Sequence, residues 1–182
     1  DSSTLSMMYH VSHVILKDST KTDKSVFGLD SICVDLNMRN DSLLAVLLWN
    51  NKGSQLENRG NLKAIFVKSR EKEEVSLKKS EVIVNDSLWQ VDEQNKISHD
   101  RLGWKFNHFI IRGGQSKLAI EGRYPKQDGD SLNITFNNWN LSNLDLLWQF
   151  IGFDLDGIID GNVAFTRAAG RNARLANLYV NH

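Results

Sequence analysis

The feature that most limits this chain is an apolar alternation with a period of two. In Ser131–Asn137 (SLNITFN), Leu132, Ile134 and Phe136 alternate with Asn133, Thr135 and Asn137. Only a pleated strand puts those three side chains on one face. Lys117–Tyr124 repeats the pattern with Leu118, Ile120, Gly122 and Tyr124, and Asp156–Phe165 does so with Ile159, Gly161, Val163 and Phe165. Asn61–Lys68 places Leu62, Ala64 and Phe66 on one side, but Ile65 and Val67 on the other are apolar too, which predicts cover on both faces. Less regular strand candidates are Val11–Leu16, Ser31–Leu36, Leu43–Trp49, Glu81–Val84, Trp104–Ile111 and Arg174–Val180. Trp104–Ile111 changes phase midway, which predicts a bulge near Asn107 or His108.

The spacers carry turn chemistry: Asn50-Asn51-Lys52-Gly53, Asn85-Asp86-Ser87, Gly113-Gly114 and Lys126–Asp130. Asn, Asp and Gly tolerate the left-handed backbone that hairpins need. Strands at short intervals with such turns between them predict an antiparallel all-β architecture. One segment departs from the pattern. Leu144, Leu147, Trp148 and Ile151 have helical spacing, Ser142 and Asp145 approximate a capping box, and Gly152 is placed to end the turn. A short amphipathic helix over Asn143–Ile151 is expected. Arg70–Leu77 has too thin an apolar stripe for a helix and reads as a charged hairpin loop with strand edges.

Composition removes several function classes. The chain has 182 residues, 22 Lys+Arg against 22 Asp+Glu, and a formal charge of +0. That balance argues against a nucleic-acid binder, which usually carries a basic footprint. The longest apolar run, Leu43–Trp49, is far short of the about 20 residues of a spanning helix. Cys33 is the only cysteine, so no disulfide framework is expected. The chain opens on Asp1 with no leader-like segment, so a processed product or a slice of a longer protein is expected. A single β domain over 1–182 accounts for this length.

Motifs that would carry chemistry are weak. His10 and His13 form H-x-x-H, but positions i and i+3 of a strand face opposite sides and do not converge on one metal. Asp154-Leu155-Asp156-Gly157 starts like a calcium loop. It then places Ile158 and Ile159 where oxygen ligands and glycine are needed, and Phe165 where Glu belongs. No serine sits in a nucleophile elbow, and Cys33 lies in an alternating strand with no His beside it. Gly113-Gly114 lacks the remainder of a phosphate loop. The expectation is a non-enzymatic chain with no cofactor and no metal.

The order of pieces from Glu81 onward resembles a known family. Those pieces are VIVNDSLWQV (Val82–Val91), RGGQSKLAIEGRY (Arg112–Tyr124), SLNITFNNWNLSNLDLLWQFIGFDLDGIIDGNVAF (Ser131–Phe165) and a final polar strand. They are similar to the TamB and wider AsmA-like family of Gram-negative envelope proteins, in its Bacteroidota flavour. There a strand leads through a short Leu-rich helix to a strand with spaced glycines. Leu141, Leu144, Leu147, Gly157 and Gly161 occupy those places here. The likeness covers about 81–180, and residues 1–80 fit as generic strands.

The resemblance implies an internal fragment of a much longer periplasmic protein anchored to the inner membrane outside this stretch. It implies a curved, U-shaped antiparallel sheet (a β-taco) with an apolar concave face that carries phospholipid acyl chains between the membranes. It also implies support of outer-membrane protein assembly with a TamA- or BamA-type barrel, through regions outside this fragment. The residues expected to line such a groove are Leu118, Ile120, Leu132, Ile134, Phe136, Ile159, Val163 and Phe165. The competing reading is a β-sandwich module that binds glycan or protein through Trp89, Trp104 or Trp139 gathered on one exposed surface. In a sandwich the same eight residues would be a closed core.

Overall fold

The computed structural model describes residues 4–11, 14–17, 25–29, 31–51, 57–84, 86–140, 157–167 and 174–180, the last stretch and 14–17 and 25–29 by backbone only. The described residues are all-β. The strands are β1 (Thr4–Val11), β2 (Val14–Lys17), β3 (Ser25–Leu29), β4 (Ser31–Arg39), β5 (Ser42–Asn50), β6 (Arg59–Lys68), β7 (Lys72–Leu77), β8 (Glu81–Val84), β9 (Ser87–Val91), β10 (Lys96–Asp100), β11 (Gly103–Gly113), β12 (Ser116–Arg123), β13 (Ser131–Asn140), β14 (Ile158–Arg167) and β15 (Arg174–Val180). Thirteen of them form one antiparallel sheet in near-sequential order, and β2 and β3 pair separately as a ribbon between β1 and β4.

The sheet is a meander with one interruption. β6 pairs with β7 over Ala64–Lys68 and with β8 over Arg59–Asn61. β11 pairs with β10 at one end and β9 at the other. So β7 and β8 are halves of one strand position, and β9 and β10 are halves of the next. The two breaks lie side by side, because the Val75↔Ile97 register sets Leu77 opposite Asn95. There the Asn95 side chain replaces the missing ladder. The Leu77 N–H donates to Asn95 Oδ1 (2.8 Å), and Asn95 Nδ2 donates to the Leu77 carbonyl (2.7 Å). Ser80 does similar work on the other side, accepting from the Lys63 N–H (3.1 Å) and donating to the Lys78 carbonyl (2.6 Å). Both residues are buried, as such groups are when fully hydrogen-bonded.

Two bulges share one design. In β11, Asn107 and His108 face Glu121 alone, and in β13, Asn137 and Asn138 face Asp160 alone. His108 (φ 52°) and Asn138 (φ 43°) take the left-handed turn. Each bulged N–H is captured by the opposing carboxylate, His108 to Glu121 Oε2 (2.6 Å) and Asn138 to Asp160 Oδ1 (2.8 Å). The insertion keeps the aromatic residues on either side in phase: Phe106 with Phe109, and Phe136 with Trp139. The bulge expected near Asn107 is therefore present. The second carries the same Phe-Asn-x-aromatic signature, which a sequence comparison of the two strands could have found.

Several expectations need correction. Val11–Leu16 is not one strand: β1 ends at Val11 and β2 begins at Val14. Lys72–Leu77 is a full strand rather than loop, because neighbours on both sides pair its charges. Glu73 pairs with Lys68 (2.8 Å), and Glu74 pairs with Lys72 and Lys96. β6 is not covered on both faces, since Phe66 and Val67 are each exposed. The helix expected over Asn143–Ile151 lies outside the described residues.

On the polar face Arg123 of β12 reaches past Gly103 of β11 to grip Asp100 of β10 with two nitrogens (2.7 and 3.0 Å). Chiefly through that contact, with the Leu102 N–H assisting, the Asp100 carboxyl is held at about 2, below its ordinary 3.8. A depressed folded-state value means the unfolded chain binds the proton more readily. The stabilisation is thus present above the unfolded value near 3.8 and is lost as pH falls through about 2. Asp100→Asn should flatten the dependence of the denaturation midpoint on pH between about 4 and 2. A variant with the wild-type slope over that window would show that Asp100 is not the responsible group.

Candidate functional site

The cross-strand register places one apolar face across the whole sheet. One row runs Leu5–Met38–Leu43–Phe66–Val75–Ile97–Phe106–Gly122–Leu132–Phe165–Ala176, from β1 to β15, with no polar side chain in it. The row on the opposite face, Thr4–Arg39–Ser42–Val67–Glu74–Ser98–Lys105–Arg123, is nearly all polar. All eight residues expected to line a groove fall on the apolar face. Leu118 pairs with Phe136, Ile120 with Ile134, Leu132 with Phe165, Ile134 with Val163, and Ile159 with Trp139.

This face is only half-covered. Among the described residues the buried hydrophobic side chains are Ala64, Leu132 and Trp139 on this face and Ile110 on the other. Leu118, Ile120, Ile134, Phe136, Ile159, Val163 and Phe165 are all half-buried. A second layer packed at interior density would have buried most of them.

Tryptophans line one end of the strands on the apolar face. Trp49 of β5 lies over Gly60 of β6, where an added Cβ would come within 2.1 Å of its ring. Trp89 of β9 lies over Gly113 of β11, where a Cβ would meet its ring at 2.6 Å. Any larger residue at either glycine would push the indole off the sheet. Trp89 and Trp139 touch at 5.1 Å between centroids, and Trp139 also meets Phe136 edge-on at 6.4 Å. β9 and β13 are three strand positions apart, roughly 14 Å in a flat sheet. A ring contact across that span is what a sheet concave on its apolar side provides. The indole N–H groups of Trp49 and Trp139 are buried without a hydrogen-bond partner.

The other strand end is different in kind. Lys68, Glu73, His99 and Trp104 are successive cross-strand partners there. Lys68 donates to Glu73 Oε1 (2.8 Å), and this bond holds the Glu73 carboxyl below the ordinary carboxylate range. The His99 and Trp104 rings meet at 4.7 Å. Trp104 thus stands at the opposite end from the Trp89–Trp139 pair, so the three do not form one surface cluster. Sequence reasoning missed this row because Arg70–Leu77 reads as loop.

Of the metal-like motifs that the sequence argues against, His10 lies on the polar face of β1, opposite Cys33, while His13 and Asp154–Asp156 lie outside the described residues. Among the described residues no three His, Cys, Asp or Glu side chains converge as a metal site. No described helix is long and apolar enough to cross a membrane. Leu141, Leu144 and Leu147 lie outside the described residues, while Gly161 sits on the apolar face opposite Phe136. No protein-family model matches the sequence, and neither a curated protein nor a solved structure matches the chain.

Proposed function

We propose that this chain is a non-enzymatic segment of a TamB/AsmA-like envelope protein, held in the periplasm by an inner-membrane anchor of the longer protein. Its apolar face carries phospholipid acyl chains between the inner and outer membranes, and the longer protein supports outer-membrane protein assembly with a TamA- or BamA-type barrel. The observation that carries this reading is the apolar row running from β1 to β15 with its side chains left half-open.

The energetics suit that role. Each methylene removed from water is worth about 0.8 kcal/mol, so an acyl chain of about fourteen methylenes faces roughly 11 kcal/mol if it crosses water bare. Shielding half of it removes about 5 kcal/mol of that barrier. A long uniform apolar face lets the chain slide from strand to strand without being trapped.

Site-specific photocrosslinking tests the proposal. A photoreactive residue at Ile134 or Phe136 should attach labelled phospholipid in the envelope, and one at Thr135, on the opposite face, should not. Equal labelling at Thr135 and Ile134, or none at either apolar position, overturns it.

A further inference from the structure

Lys68 and Glu73 are charged side chains on the apolar face, and they are neighbours at its edge. The other charged strand positions on this face of the sheet, among the described residues, are Arg167 and Arg174, which pair across β14 and β15, and Arg167 is engaged by Asp128 and the Lys126 carbonyl. The Lys68 and Glu73 side chains are 79% and 56% exposed. An ion pair so exposed contributes little stability, so its place at the margin of an oily surface calls for another reason. One step inward along the same strands, the row becomes Phe66–Val75–Ile97–Phe106, entirely apolar. Polarity therefore reverses across a single side-chain step, as it does between the head and tails of a lipid.

We propose that the row Lys68–Glu73–His99–Trp104 is a headgroup site selective for zwitterionic phospholipid, its acyl chains entering over Phe66, Val75, Ile97 and Phe106. The inference rests on reading the apolar face as a lipid surface, and adds to it an entry point and a substrate class. The charge order fits. Lys68 and Glu73 stand one strand spacing apart, about 4.8 Å. A phosphate and an ammonium joined by a two-carbon link span a similar distance. The phosphate takes Lys68, the ammonium takes Glu73, and each protein charge exchanges its present partner for a ligand charge of the same sign. His99 offers a further ring nitrogen beside Glu73. Trp104, half-exposed, sets an amphipathic ring at the boundary between head and tails. A purely anionic headgroup would leave Glu73 facing like charge, and an uncharged one would leave the pair unanswered.

The test is extraction from vesicles carrying a trace of tail-labelled phosphatidylethanolamine, phosphatidylglycerol or diacylglycerol with identical chains. The wild-type chain should take up phosphatidylethanolamine about tenfold better than diacylglycerol, the factor that one added charge-assisted contact supplies. Lys68→Met should bring that ratio to within about twofold, the charge-assisted phosphate contact being lost. Glu73→Lys should reverse the preference toward phosphatidylglycerol. Diacylglycerol uptake should be the same in all three proteins, which separates lost selectivity from lost folding. Wild-type uptake that is equal for the three lipids, or highest for phosphatidylglycerol, overturns the headgroup site and leaves the lipid-surface reading standing. No uptake of any lipid by the wild type overturns both.

Discussion

Trp139→Ala should lower stability by about 3–5 kcal/mol, the range for deleting a buried large aromatic. Trp139 is 4% exposed, and with Ala64 and Leu132 it is one of the three buried hydrophobic side chains on a face whose other described apolar side chains are half-buried or exposed. It touches Trp89 from three strand positions away and Phe136 within its own strand, past the bulge at Asn138. Its loss opens a void at the point where the sheet brings the rings of β9 and β13 together. For a chain of this size the melting temperature should fall by roughly 10 °C. Two companion variants sharpen the result. Trp139→Phe keeps a ring and removes the unpartnered N–H, so it should cost less than about 2 kcal/mol, a modest volume loss offset by the deleted donor. Phe136→Ala removes a side chain that still meets solvent and should cost less than half as much as Trp139→Ala. Equal losses for Phe136 and Trp139 in urea denaturation would mean that the face is a sealed core, and the lipid reading would fall with it.

The second large effect is expected at Asn95. Replacing it with Ala leaves the Leu77 N–H and carbonyl without partners inside the sheet, at about 1–3 kcal/mol for each buried group, so a total near 3 kcal/mol is expected. Asn95→Asp is the informative variant. The carboxylate still accepts from the Leu77 N–H, but its second oxygen now faces the Leu77 carbonyl, oxygen against oxygen. Protonation turns that oxygen into a donor and restores the pair. The folded-state value of the introduced carboxyl is therefore raised above the unfolded one near 3.9. Its stabilisation is full below that unfolded value and is lost as pH rises through the folded one. The Asn95→Asp variant should thus gain stability relative to Asn95→Ala on acidification, with chemical denaturation at several pH values as the measurement. Parallel pH profiles for the two variants would show that Asn95 does not bridge the break.

Much of the apolar face was legible from residue order alone. Leu118, Ile120, Leu132, Ile134, Phe136, Ile159, Val163 and Phe165 share a face because a strand alternates sides every residue, and adjacent pairing in register carries that assignment to the next strand. The bulge at Asn107–His108 was legible for the same reason, as a phase slip in the alternation. The interruption between β7 and β8 was not. Asn95 looks like any turn residue until a partner strand brings Leu77 beside it, and Lys72–Leu77 looks like loop until Lys68 and Lys96 supply its counter-charges. Likewise, nothing near Gly60 or Gly113 in the sequence says that an indole will lie across it.

Residue order by itself determined which atoms are oily and on which side of each strand they stand, because that follows from local pleat geometry. Tertiary structure decided how many strands share one face, that this face is left half-open, and that one end is ringed with tryptophan while the other carries a charged row. Those outcomes depend on contacts between residues distant in the chain, whose meeting is set by the register of the whole sheet and not by any local pattern.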